Sequence, residues 1–433
     1  MVPSFRVIGR TDPCFGWDGS SVVQALPGDD DLRGDARPVV EGAFAGVGRS
    51  GDRTWLARDP LGLGKLFWAA ANGDIDVASH PAPLVERGHA LDDCTALPAN
   101  VVVTYVDGGG SPTVRPLVDP AGGEPDEAES VERLADRIRT TVDGYIGGLL
   151  AARPGPVIVC LSGGLDSTSV AALARAQRDD VVAITFDLAR PGSRRRSQDF
   201  VAAHDAARHL GLDVVPAIHS PERLFELLDT VLVAGIDWRD FNVHAGLVNA
   251  GLALSIAELV GSPTEATVLT GDLVNELLAD YHSETYDGRT YYRLPRLPIA
   301  ATRTALVRGL ATSHREIGVF GAFGVPVVQP YAAARDAFLR LPDDVLGPGP
   351  GKARLYRAMF GDDLPHASYE RPKTRAQTGS AEGEQGVLAA CADAGFDERW
   401  LARRFAELHG VDDSGALTRF LRAGRYRSGV PLT

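Results

Sequence analysis

The run PVIVCL (156–161) passes directly into SGGLDST (162–168) and then into an Ala-rich stretch that ends near residue 177. No other feature narrows the fold as much. A short segment apolar at every position suits a parallel strand covered on both faces. A second apolar run, VVAITF (181–186), follows, then the helix candidate DFVAAHDAARHLG (199–211) and a third strand candidate, DVVPAI (213–218). Strand and helix alternating at this spacing predict a doubly wound parallel sheet. Ligands in such sheets bind beyond the carboxyl ends of the strands, where residues 162–168 fall.

The turn itself suits phosphate. Small residues at Ser162, Gly163 and Gly164 let backbone N–H groups close on an anion, and the helix opening behind them adds partial positive charge. Ser162, Ser167 and Thr168 carry hydroxyls. Asp166 repels phosphate and is suited instead to a Mg2+ that bridges phosphate oxygens. Neither G-K-[ST] nor G-x-G-x-x-G occurs here, which excludes a Walker loop and a dinucleotide fingerprint. An ordinary glycine-containing turn is the plainer alternative; the acid, glycines and hydroxyls together speak against it.

Residues 1–118 read as short β segments between turns: RTWLARDP, LFWAA, DIDVASH, and two strands around the Gly-rich hairpin in NVVVTYVDGGGSPTVRPLV. DPAGGEPDEAES (119–130) is the linker candidate, and the division falls at residue 120. From Val131, Leu134, Ile138, Val142 and Tyr145 recur at helical spacing. Beyond residue 222 the pattern is mostly helical, interrupted by VLTGD (268–272) and GVPVV (324–328). Leu224, Leu227, Leu228, Val231 and Leu232 read as one core helix.

With 57 acidic and 44 basic residues the net charge is −13, which disfavours nucleic acid or an anionic membrane as partner. The first residues lack the apolar core of a signal peptide, and no stretch approaches the roughly 18 apolar residues of a membrane span. Cys14, Cys94, Cys160 and Cys391 lie far apart, without metal-site or disulfide spacing. A cytoplasmic protein is the expectation. Arg194, Arg195 and Arg196 suit either a polyphosphate contact or a solvated loop, and His204, His209 and His282 have no ligand spacing.

SGGLDS matches the PP-loop of the N-type ATP pyrophosphatases, and nearly the whole chain resembles the asparagine synthetase superfamily, which includes β-lactam synthetases and lasso peptide macrolactam cyclases. ARDPLGLGKLFWA (57–69) resembles the R-D-x-x-G-x-x-x-L-Y segment of the family's N-terminal domain. VLTGDLVNELLADY (268–281) resembles its S-G-E-G-x-D-E-L segment, REIGVFGAFGVPVVQPYAAARDAF (315–338) the one ending R-x-P-F-L-D, and Tyr369-Glu370-Arg371-Pro372-Lys373 the late R-x-K.

The resemblance implies an α/β plus α+β chain: an Ntn-hydrolase-like αββα sandwich over 1–120 and a PP-loop synthetase domain with a helical extension over 121–433. It implies ATP and Mg2+ as cofactors. Leu161, Ser162, Gly163, Gly164, Leu165, Asp166, Ser167 and Thr168, with Thr185, Thr270 and Gly271, would hold ATP and pyrophosphate. Asp166, Asn275 and Glu276 would hold the metal. Lys373 would stabilise the oxyanion, and Asp272 or Glu316 would accept the amine proton.

Two departures bear on function. The family's glutaminases carry a nucleophilic cysteine directly after the initiator Met, where this chain has Val2, and Cys14 is internal. Asn275 stands where the resemblance has a metal-binding aspartate. The implied activity is AMP-forming amide synthesis without glutamine, foremost a lasso-type macrolactam cyclase. Its substrate would be a small molecule or peptide bearing a carboxylate and an amine, with a precursor peptide and a companion protease as partners. A β-lactam-type or intermolecular amide synthetase, and a non-catalytic scaffold with a degenerate ATP site, stand as alternatives.

Overall fold

The computed structural model describes residues 5–8, 15–16, 42–108, 110–118, 129–189, 195–294, 296–382, 386–411 and 428–431. Val2, Cys14, Arg194 and nearly all of the linker candidate lie outside these ranges.

The turn-rich N-terminal sequence gives strands β1 (Phe5–Val7), β2 (Phe15–Gly16), β3 (Ala45–Ser50), β4 (Arg53–Arg58), β5 (Phe67–Ala71), β6 (Asp74–Ala78), β7 (Thr95–Ala96), β8 (Val101–Val106) and β9 (Thr113–Arg115). They form two sheets, ordered β1-β6-β5-β7 and β2-β3-β4-β8-β9. Val47, Leu56, Val103 and Tyr105 of the second sheet meet Ile75 and Val77 of the first in one core. α-Helix in this half is limited, among the described residues, to Pro81–Glu86. The flanking helical layers of the expected αββα sandwich are therefore not formed by these residues.

The second half follows the alternation. Helix α1 (Val131–Ala152) is capped by the Ser130 hydroxyl and buries Leu134, Ile138 and Val142. Next come β10 (Val157–Cys160), α2 (Leu165–Gln177), β11 (Val181–Leu188), α3 (Gln198–Leu210), β12 (Asp213–His219), α4 (Asp240–Val260) and β13 (Thr267–Leu269). With a strand at Val327–Val328 they make a five-stranded sheet in which every neighbouring pair is parallel and β10 is central. The leucine stripe is not one helix. Pro221–Phe225 and Leu228–Gly235 are separate helices, with a turn at Glu226 and Leu227 between them.

Two features depart from the sequence reading. A hairpin, Glu284–Tyr286 with Arg289–Tyr291, turns on Asp287 (φ 47°) and Gly288 (φ 70°). And α4 is, by length and composition, apolar enough to cross a membrane. In this fold α4 is a core helix, with Val243, Leu247, Ala250 and Ile256 buried under β11 and β12.

The two halves are joined by buried cations. Arg58 gives hydrogen bonds to the carbonyls of Gly64 (2.7 Å), Leu97 (2.5 Å), Gly62 (2.7 Å) and, across the seam, Ala311 (2.7 Å). Lys65 Nζ reaches the Leu310 carbonyl at 2.8 Å. Asp59 accepts from the backbone N–H groups of Phe44, Leu61, Leu63 and Gly64 and closes the turn that carries them. The ARDPLGLGK segment is thus a docking device.

Candidate active site

β10 and β13 pair in parallel and release their chains at the same carboxyl edge. The turn after β10 is tight. Gly163 has φ +74°, and a Cβ there would stand 2.4 Å from the backbone carbon of Ala202 on α3. The exit of β13 presses on the same turn, since a Cβ on Gly271 would lie 2.5 Å from the Asp166 carbonyl carbon and the Ser167 nitrogen. Only glycine lets both segments close in. Within the turn, Ser167 Oγ accepts from the Ser162 N–H at 3.1 Å and lies 3.1 Å from Ser162 Oγ.

The edge opens into a cavity of about 640 Å3. Leu161, Ser162, Gly164, Leu165, Asp166, Ser167, Thr185, Thr270, Gly271, Asp272, Asn275, Glu316 and Lys373 line it. Three other candidates do not. Gly163 backs onto α3, its carbonyl accepting from Ser368 Oγ at 3.2 Å. Thr168 is fully buried, two positions and so about 200° around α2 from Asp166. Glu276 follows Asn275 in the short helix Val274–Leu278, about 100° further round, and does not line the cavity. Glu276 Oε1 accepts instead from the Tyr281 hydroxyl at 2.6 Å and from Arg315 at 3.1 Å.

Residues that sequence reasoning missed organise the rest. Lys352, on helix α5 (Pro350–Phe360), directs its ammonium to Asp166 Oδ2 (2.6 Å), Asn275 Oδ1 (2.9 Å) and Asp280 Oδ2 (3.2 Å). Tyr356, a turn further along α5, donates to Asp166 Oδ1 at 2.6 Å. Lys373 binds Asn275 Oδ1 and, at 3.0 Å, Asp280 Oδ2. Asp280 is held low by the two lysines although burial opposes this. Lys373 is pushed down to about 8, by burial and then by the Lys352 charge. Arg371 clamps the turn from behind, donating to the Ser162 carbonyl at 2.8 Å and pairing with Asp199. Burial lifts Asp199 to about 6.

Opposite stand the two carboxyl groups Asp272 and Glu316. Burial, reinforced by Glu316, pushes Asp272 up to about 7. Glu316 is likewise raised by burial, against the pull of Arg315, with which it pairs. Behind them lies a second cavity of about 1030 Å3, which shares Phe241, Tyr281, Arg315 and Arg375 with the first. The Arg375 guanidinium sits 4.8 Å from the Tyr281 ring centre, 5.1 Å from Tyr292 and 5.4 Å from Phe241. Cys94, Cys160 and Cys391 have thiols raised by burial.

Asp166, Asn275 and Asp280 turn oxygens to one point, donors of the kind a hard dication takes. That point holds the Lys352 ammonium, with the Lys373 ammonium beside it and Glu276 turned elsewhere. Among the described residues, no three His, Cys, Asp or Glu side chains are grouped to hold a metal. The arrangement does not fit a resident Mg2+.

A glycine-bearing turn at a helix N-terminus, with two lysines lining the same cavity at the carboxyl edge of a parallel sheet, is an arrangement suited to an anion such as phosphate. Residues 152–317 match the family model described as asparagine synthase. No protein of curated function matches the chain. Among solved structures it is similar to the NMN synthetase of Francisella tularensis, with 13% identity, a TM-score of 0.31, and coverage of 70% of this chain and 98% of that one. It is also similar to the NAD+ synthetase of Burkholderia pseudomallei, with 14% identity, a TM-score of 0.25, and coverage of 64% and 92%. The NH3-dependent NAD synthetase of Campylobacter jejuni subsp. jejuni shows 18% identity, a TM-score of 0.25, and coverage of 40% and 73%. Likenesses of this size define neither activity nor substrate.

Proposed function

We propose that the cavity binds ATP, with its accompanying Mg2+ as part of the substrate, and makes an amide by way of an acyl-adenylate. The observation that carries this reading is that residues of the 162–168 turn, Lys352, Lys373, Asp272 and Glu316 all line one cavity. A substrate carboxylate oxygen attacks the α-phosphorus, the bond to the β-phosphate bridging oxygen breaks, and pyrophosphate leaves into the turn. An amine of the same substrate then attacks the acyl carbon, and the bond to AMP breaks.

Lys373 stabilises the negative charge that develops on the acyl oxygen. Asp272 or Glu316 takes the amine proton, a contribution of about 100- to 10,000-fold in rate. Positioning and charge stabilisation supply most of the remainder. The amine comes from the substrate and not from glutamine: the described cysteines are held as thiols by burial and are poor nucleophiles. The particular reaction we favour is closure of a macrolactam within a peptide, released from a precursor by a companion protease. The large second cavity, which shares Phe241, Tyr281, Arg315 and Arg375 with the first, gives room for such a chain.

ATP–pyrophosphate exchange tests this. Purified protein should exchange labelled pyrophosphate into ATP in the presence of the acid substrate and release no glutamate from glutamine. Protein that neither binds ATP nor exchanges would be a scaffold.

A further inference from the structure

Most of the polar atoms that could ligate a metal at the carboxyl edge are already used by one side chain. The Lys352 ammonium has three N–H bonds, and oxygens of Asp166, Asn275 and Asp280 stand at 2.6, 2.9 and 3.2 Å from it. Those oxygens come from three separate segments: the turn after β10, the helix after β13, and the residues beyond that helix. Lys352 is only 7% exposed, so water does not compete. The second oxygen of Asp166 is taken by Tyr356 at 2.6 Å, and Lys373 adds a second ammonium on Asn275 and Asp280. N–O separations of this length suit an ammonium, whereas Mg2+ draws its oxygens to roughly 2.0–2.1 Å. The charges close without a metal: Asp166 and Asp280 are balanced by Lys352 and Lys373. The carboxylate missing at Asn275 is present five positions on, at Asp280, bonded to the same ammonium.

We infer that Lys352 is the resident cation of this site. It crosslinks the two acidic segments and occupies the place of a protein-held metal, so the enzyme uses only the Mg2+ that arrives on the nucleotide. The inference rests on the ATP reading for its nucleotide arm alone. Lys352 thereby acts as a positioning residue for Asp166 and, through it, for the phosphate turn.

The test counts Mn2+ by electron paramagnetic resonance. Mn2+ alone, titrated into the wild-type chain, should find no stoichiometric site. Lys352→Met, which removes the charge and keeps the bulk, should bind one Mn2+ per chain at least tenfold more tightly and melt higher when Mn2+ is added. Should Lys352→Met not fold, wild type with α,β-methylene-ATP decides: one Mn2+ per bound nucleotide is expected. Two Mn2+ per nucleotide, or a Mn2+ site in the wild type that Asp280→Asn abolishes, overturns the inference. Failure of α,β-methylene-ATP to bind, seen by calorimetry, sinks the ATP reading instead, and the Mn2+-alone titrations still judge the role of Lys352.

Discussion

At the scale of single residues, two groups that line the cavity have been moved toward each other on the pH axis. Asp272 sits near 7 because burial and Glu316 disfavour its charge. Lys373 sits near 8 because burial and Lys352 disfavour its charge. If Asp272 must be ionised to take a proton and Lys373 charged to hold an oxyanion, product formation rises through about 7 and falls through about 8, a narrow bell. Rate–pH profiles of wild type and variants check this. Asp272→Asn should abolish the acidic limb if Asp272 is the base. Lys373→Ala should remove the basic limb and lower turnover about 100- to 1,000-fold, the usual loss for one oxyanion donor. A wild-type profile flat from pH 6 to 9 contradicts both assignments. There is a stability counterpart. The folded Asp272 carboxyl binds its proton more tightly than the unfolded one, so stability falls as pH climbs from about 3.8 to about 7. Asp272→Asn should flatten that fall in melts across the window.

At the scale of elements, the site depends on how closely three segments approach. Gly163→Ala would combine a left-handed backbone with a Cβ driven into the Ala202 backbone, a strain of about 1–3 kcal/mol before any clash. Either α3 or the turn must move, and affinity for α,β-methylene-ATP should drop at least tenfold with a lower melting temperature. Gly144→Ala is the matched control. It lies on the exposed face of α1 with nothing within 4 Å, and helix propensity predicts a gain of about 0.5–1 kcal/mol. If both variants bind the nucleotide like wild type, the turn does not depend on that packing. The strands, α2, α3 and the turn were legible because local periodicity and small residues encode them. The Asp287-Gly288 pair is a hairpin signal set in a stretch that otherwise reads as helical. Lys352, Asp280 and Tyr356 were not legible. Lys352 meets Asp166 across 186 residues of sequence, and nothing in PGPGKARL marks its lysine as anything but solvated. The direction of Glu276 was hidden for a related reason. A motif read as a string does not show that adjacent helical residues face different ways.

At the scale of the whole molecule, the seam is narrow and charged. Arg58 is buried, its four hydrogen bonds all end on carbonyls, and burial pushes its guanidinium down to about 10. Arg58→Met would strand those carbonyls, at a cost of about 1–3 kcal/mol for a buried acceptor left without a donor. Calorimetry should show the single melting transition drop or divide in two. A variant that melts like wild type would mean the halves dock without it. The seam is also closed from the far end of the chain. The Trp68 indole N–H donates to the Gly429 carbonyl at 2.9 Å, 361 residues later, the Tyr105 hydroxyl donates to the Pro431 carbonyl, and β7 bridges to Ser428. At synthesis rates of roughly 5–20 residues per second, these N-terminal sheets wait about 20 to 70 s on the ribosome for their last partners. Until then part of their surface is open to whatever meets the nascent chain, so the stretch made first is among the last to be finished.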